Sequence, residues 1–426
     1  MAWNQLRNAT GRRVVVTGMG LTTPIGNTLP QALDALIGRK SGVKPLNHQL
    51  MPDLDQIPVK IGGYLDVDYE YWKNMMPCNK TKTNVHGFSA VYKAMQDSGF
   101  RPSSEEERER FGCIMGAGVS SVFEFMGGLH DVYANGSNID IIPADYAEKI
   151  DINGLNNIIS RYFGAKGHTE AVSPACATGH AVVQEAFRSI MLGESDVCIA
   201  GAAETIVHPV ILKGFALLGC INTKSNENPA ESSRPLDENR EGLAGADGGN
   251  AVILEELQHA LARGAKIYGE VKGYNMNCDG FHLTKPTPRG EGIYRTMLGV
   301  LGMTGMRPED IDLVLAHATA TKAGDFAEVN AIDSVFGNLR PHITAVKGHT
   351  GHMMCAVGTF HVISALLMIS NGVVAPIMNL KNPLKINGKE LNFAKEPVYT
   401  QLNNVLINAV GFSGMNNSLI LSRYAP

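Results

Sequence analysis

Charge is scarce in this sequence: 18% of its 426 residues are Asp, Glu, Lys or Arg. The 37 basic residues are outnumbered by 41 acidic ones, leaving a net charge of −4. A nucleic-acid-binding protein needs a basic face to meet phosphates, and no such excess exists. Long apolar stretches are lacking too. No run reaches the ~18 consecutive apolar residues of a membrane-spanning helix, so none is expected. No secretory leader stands out, because strand-like Val14–Val16 begins almost at once. No acid precedes Asp34, whereas Arg7, Arg12 and Arg13 crowd residues 1–13. That start fits a frayed terminus or, as the alternative, a short organellar transit peptide. Cysteines number seven, an odd count, and Cys113, Cys198 and Cys355 sit inside apolar segments. This excludes a disulfide framework and suits a soluble protein of a reducing compartment. The cytoplasm is expected, or the mitochondrial matrix or a plastid if the start is a leader. No CxxC or HxxxH spacing supports a metal site.

What is present is apolar bulk, at 44%, with 46 glycines. The length allows two to three ordinary domains or one large duplicated unit. Short apolar runs alternate with helical stretches. In the first half, strands are expected at 13–17, 112–117, 170–174, 196–201 and 250–255, with helices at 28–38, 150–162 and 177–192. In the second, strands are expected at 267–274, 312–316, 342–346, 405–410 and 418–423, with helices at 291–304, 324–336 and 353–371. Both halves read βαβαβαββ, which implies an internal duplication and a mixed, mainly parallel sheet flanked by helices. The expected division is 12–265 and 266–424. Residues 40–110 read as a long insertion, and 219–248 as a turn-rich link.

Ligands of open α/β sheets sit at the carboxyl ends of strands. There the first half carries Cys176, in Ser173-Pro174-Ala175-Cys176-Ala177-Thr178-Gly179, at the start of a helix. A helix N-terminus favours the thiolate, the nucleophilic form. The second half carries His317 at a strand end and His352 in Lys347-Gly348-His349-Thr350-Gly351-His352. Any one of these residues alone is more often structural than catalytic. A thiol facing two imidazoles across a duplicated fold is a stronger signal of a catalytic nucleophile, and a Cys–His hydrolase is one chemical reading.

These segments resemble a β-ketoacyl-acyl-carrier-protein synthase of the elongating, type II kind. The likeness runs nearly end to end. It takes in Arg13-Val14-Val15-Val16-Thr17-Gly18-Met19-Gly20, the Cys176 and two His segments, Ser233-Arg234-Pro235, Asp279-Gly280-Phe281-His282 and Gly411-Phe412-Ser413-Gly414-Met415-Asn416. It implies a thiolase-type fold, two halves stacked in α-β-α-β-α layers, and a homodimer. It implies an acyltransferase of fatty acid biosynthesis that holds an acyl group on Cys176 and condenses it with malonyl-carrier protein. His317 and His352 would stabilise the enolate, and Lys347 would pair with Glu328 as buried support. Thr319 and Thr321 would bind the pantetheine arm. Phe412 would gate the acyl pocket and, with Cys176, supply oxyanion N–H groups. The substrates would arrive on the phosphopantetheine of acyl carrier protein, with no bound cofactor, metal, nucleic acid or membrane span. An acidic carrier needs a basic dock, and Lys80, Lys82 and Arg234 are candidates.

The sequence departs from the family pattern at Ala318 and Ala320, where glycine or serine is usual, and at His349, Ser413 and Met415. None removes a group the chemistry needs. A discrete polyketide-type ketosynthase, a coenzyme A thiolase and a silent chain-length-factor-like partner are the competing readings. Cys176 opposes the last, and the two-His pattern opposes the second.

Overall fold

A computed structural model describes residues 11–425. Most of residues 1–13, read as a frayed terminus or alternatively a leader, lies outside the described residues. Arg12 and Arg13 belong to the fold, bound to Asp196 at 2.6 Å and Glu270 at 2.8 Å.

Ten strands form one sheet. The first half supplies β1 (Val14–Thr22), β2 (Phe111–Gly116), β3 (Thr169–Val172), β4 (Val197–Glu204) and β5 (Gly248–Glu256). The second supplies β6 (Gly269–Cys278), β7 (Leu313–Leu315), β8 (His342–Thr344), β9 (Asn404–Gly411) and β10 (Met415–Ser422). Strands covered on both faces read as apolar runs rather than alternating ones. Accordingly, every residue of β1, β2, β4 and β5 is buried. The spatial order is β8-β7-β9-β10-β6-β1-β5-β4-β2-β3. The two halves thus repeat one order. In each, three strands run parallel, and the fifth lies antiparallel between the fourth and the first. The halves join where β1 pairs antiparallel with β6 at Val14–Val16.

The helices that matter are α1 (Leu29–Ile37), α2 (Lys82–Ser98), α3 (Ser120–Ala134), α4 (Gly154–Phe163), α5 (Thr178–Leu192), α6 (Pro209–Leu217), α7 (Glu291–Thr304), α8 (Lys322–Phe336) and α9 (Val357–Asn371). α2 packs on β1 and β5, and α7 packs on β6 and β10. α5 and α9 pack on each other and on strands of both halves, forming a shared central layer. One difference from the sequence reading follows. The first crossover helix is α2, not α1, so the 40–110 stretch is no mere insertion. Small residues such as Ser89, Ala90 and Ala94 bring α2 close to the sheet, and they blur its apolar period.

α9 with the turn before it, Met354–Asn371, is long and apolar enough to cross a membrane, yet 89% of it is buried inside the protein. Its start abuts the start of α5 backbone to backbone. A Cβ on Gly179 would stand 2.3 Å from the Thr359 nitrogen, and one on Gly358 would stand 2.7 Å from the His180 nitrogen. No side chain fits there, and this contact sets one half's strand ends against the other's.

Candidate active site

Cys176 sits in a 3-10 turn, Ala175–Ala177, that opens α5. The turn is bent by Ala175, whose φ of 49° is left-handed. The end of β9 passes close beside it. A Cβ on Gly411 would lie 3.2 Å from the Cys176 nitrogen, a tight contact that glycine avoids. The next residue, Phe412, thereby brings its backbone N–H to the Cys176 sulfur. Met354, from the turn before α9, touches that sulfur at 3.7 Å. Burial pushes the thiol up to about 12, while Lys347 and the Phe412 N–H pull it down. Burial thus disfavours the thiolate, which the helix N-terminus favours.

His317 follows β7, and His352 follows the short helix Lys347–Thr350. Their rings stand 5.6 Å apart, nearly perpendicular at 83°. Both are held well below the ordinary imidazole range, first by burial and then by the Lys347 charge. Each is therefore neutral and able to donate one N–H. The Lys347 ammonium contacts the His317 carbonyl oxygen and lies 3.3 Å from His317 Nδ1. With Lys347 as an ammonium, which has no lone pair, Nδ1 accepts and the His317 proton sits on Nε2.

The expected Lys347–Glu328 pair is not formed as a contact. Glu328 instead accepts the His317 and Ala318 N–H groups, each at 2.8 Å, and the Asn408 amide at 3.2 Å. Its carboxylate shapes the backbone that carries His317 and reaches Lys347 only through space. One turn earlier on α8, Asp325 accepts the Leu236 N–H at 2.8 Å and faces Arg240 at 3.7 Å. The sequence reading missed Asp325, Asn408 and Met354. A second carboxylate three residues before Glu328 was the available signal for Asp325.

Cys176, His317, His352, Thr319, Thr321, Glu328 and Phe412 all line one cavity of about 450 Å³. The Thr319 and Thr321 hydroxyls lie 3.0 Å apart. Phe215, Leu218, Lys285 and Lys322 also line it. His349 does not. It is buried against α1, and burial lowers it to about 4. Lys82 and Arg234 are likewise not free docking cations, being engaged by Asp247 at 2.9 Å and Glu231 at 3.4 Å.

Two family models cover this architecture: the N-terminal domain of β-ketoacyl synthase matches residues 11–260, and its C-terminal domain matches residues 268–381. The chain belongs to the β-ketoacyl synthase family. Sequence relatives include the 3-oxoacyl-[acyl-carrier-protein] synthase 2 of Rhizobium meliloti, 33% identical over 97% of this chain and 99% of its own length. The mitochondrial 3-oxoacyl-[acyl-carrier-protein] synthase of Arabidopsis thaliana is 32% identical over 96% of this chain and 93% of its own. Among solved structures, the ketosynthase of a type II polyketide synthase, in complex with its acyl-carrier protein and a hexaketide, superposes with a TM-score of 0.89. It is 25% identical, over 97% of this chain and all of that one. The synthase is thus an acyltransferase with the thiolase-type architecture. Its Ala318, Ala320 and Ser413 keep left-handed backbones, with φ of 33°, 64° and 63°. The segment holds its shape without glycine, at a strain of roughly 1 kcal/mol per residue.

Proposed function

We propose that this β-ketoacyl synthase elongates acyl chains held on acyl carrier protein, as a 3-oxoacyl-[acyl-carrier-protein] synthase of fatty acid biosynthesis. The observation that carries this is the meeting of Cys176, His317 and His352 on one cavity in a chain of this family. The Cys176 sulfur attacks the acyl thioester, its proton passes to the departing pantetheine sulfur, and an acyl-Cys176 thioester remains. The Cys176 and Phe412 N–H groups support the oxyanion of that transfer. Malonyl-carrier protein then enters. Its carboxylate carbon–carbon bond breaks, carbon dioxide leaves, and the electron pair forms a thioester enolate. The neutral His317 and His352 donate N–H bonds to the enolate oxygen. The enolate carbon attacks the acyl carbonyl and expels the Cys176 sulfur, so the chain grows by two carbons. Thr319 and Thr321 hold the pantetheine arm, while Lys285 at the cavity favours an acidic carrier. The fold divides at residues 12–265 and 266–424 into the half that loads acyl and the half that decarboxylates.

Mass spectrometry of the acylated chain, read beside carbon dioxide release from malonyl-carrier protein, tests these roles. Cys176→Ala loses acylation yet releases carbon dioxide, the enolate then taking a proton from water. His317→Ala or His352→Ala lowers release on the order of 10²–10³-fold. Parent-like release in both His variants would break the assignment. Phe412→Ala is expected to slow acyl loading and widen chain-length acceptance, and equal loading of short and long acyl chains would remove the gate.

A homodimer accompanies this reading. Among the described residues the sheet ends at β3 with no further strand, and α3 exposes Phe125, Met126 and Leu129. Sedimentation at micromolar concentration checks it, and a monomer would refute it. The TM-score of 0.89 to a polyketide ketosynthase supports a second reading, a discrete polyketide enzyme. Saturated acyl substrates outcompeting poly-β-keto ones would decide for fatty acid elongation.

A further inference from the structure

Four imidazoles stand in a row through the central layer. His352 and His317 face the cavity; His361, on α9, lies 6.3 Å behind His317 between ring centroids, and His180, on α5, lies 5.7 Å behind His361. The last two do not line the cavity, and both are fully buried. A buried polar ring needs partners. His361 finds one in Lys347, with Nε2 3.1 Å from Nζ.

The count of donors is informative. A protonated Lys347 has three N–H bonds, and it meets three acceptors: the His317 carbonyl, His317 Nδ1 and His361 Nε2. No ion pair to Lys347 forms among the described residues. A neutral amine would have only two N–H bonds and a lone pair. That lone pair could accept from His317 Nδ1–H, and His317 would then turn an acceptor, not a donor, toward the cavity. The third acceptor is what the ammonium needs and the amine does not.

We propose that His361 is a positioning residue for the decarboxylation step: by accepting the third proton of Lys347 it keeps that side chain an ammonium and so keeps the His317 proton on Nε2. The inference rests on reading His317 as the enolate donor. His180 meets the His361 ring edge to face at 72° and holds its plane. The groups facing Lys347 are His317 beyond β7, His361 on α9, Glu328 and Asp325 on α8, His352, and Cys176 in its turn. Glu328 and Asp325 favour the ammonium through space, whereas burial, the largest influence, brings it down to about 7. Its protonation is therefore poised, and one acceptor tips it.

The test is carbon dioxide release from malonyl-carrier protein between about pH 6 and about pH 9, on the full chain and on His361→Leu, His361→Gln and His361→Glu. Activity is expected to fall on the alkaline side as Lys347 deprotonates. His361→Leu shifts that fall roughly one pH unit toward acid, and lowers the rate about fivefold at neutral pH. His361→Gln, whose amide oxygen accepts, restores the parent profile. His361→Glu shifts it roughly one unit toward alkali. A purely structural role lowers rates at every pH and leaves the profile in place, so one profile shared by all four proteins overturns the proposal. If His361→Leu does not fold, the Gln and Glu variants carry the same comparison. Nitrogen-15 spectra of the histidine rings give a readout without turnover: His317 is a single Nε2–H tautomer in the parent and mixed in His361→Leu. Unchanged spectra overturn the proposal, whereas parent-like decarboxylation by His317→Ala overturns the reading of His317 itself.

Discussion

The two halves of the molecule each place a cysteine in the same turn, and only one of the two faces the cavity. Cys176 lies in Ala175–Ala177 before α5; Cys355 lies in Met354–Ala356 before α9. Each follows a residue with a left-handed backbone, Ala175 at φ 49° and Met354 at φ 41°. Equivalent strands end beside them. β9 ends at Gly411 and offers Cys176 the Phe412 N–H; β4 ends at Glu204 and sets a carboxylate beside Cys355. An amide donor favours a sulfur anion, and a carboxylate opposes it. The Cys355 thiol is also spent on the Ala175 carbonyl oxygen, at 3.2 Å. Glu204 is itself raised to about 7 by burial and anchors the Gly118 and Val119 N–H groups. Geometry of the turn therefore does not make a nucleophile; the strand end opposite does.

The largest effect that sharpens this contrast is the paired removal of the thiols. Cys176→Ala is expected to abolish acyl-enzyme formation, whereas Cys355→Ala leaves an acylated protein at rates within about threefold of the parent. An acyl group found on Cys355 would break the comparison. The next effect is in pH. Burial holds the Cys176 thiol at about 12, so its thiolate fraction rises about tenfold per pH unit through the neutral and mildly alkaline range. Alkylation of Cys176 by iodoacetamide should climb accordingly without levelling, and Cys355, held well above the ordinary thiol range, should react more slowly. A plateau below neutral pH would mean a resting thiolate. The smallest effect concerns the strained segment after β7. Ala320→Gly relieves a φ of 64° and is expected to raise unfolding free energy by at most about 1 kcal/mol, measured by urea denaturation. A loss of stability would show that the Ala320 methyl packs better than its backbone suffers.

Cys176 was legible because a strand, small residues and a helix bracket it, and that arrangement is local. His317 and His352 were legible by the same strand-end logic and by resemblance. His361 and His180 were not, because a polar residue inside an apolar helix gives no sign of what it meets across a layer. The Lys347–Glu328 pairing acts through space and not as a contact, for a related reason. Charge suggests a partner for each ion, but Glu328 found backbone N–H groups nearer. The duplication was legible in the order of elements, since each half repeats its strands in one sequence. Its first crossover was not, because α2 earns its place by closeness rather than by an apolar stripe.

The contact of Gly179 with Gly358 fixes more than a crossing. Cys176 comes from one half and His317 and His352 from the other, and these two residues are the hinge pin between them. Their missing methyl groups act as a gauge: the gap between sulfur and imidazoles is machined by what the chain leaves out. Any side chain at either position would act as a shim, widening that gap without touching a reacting group.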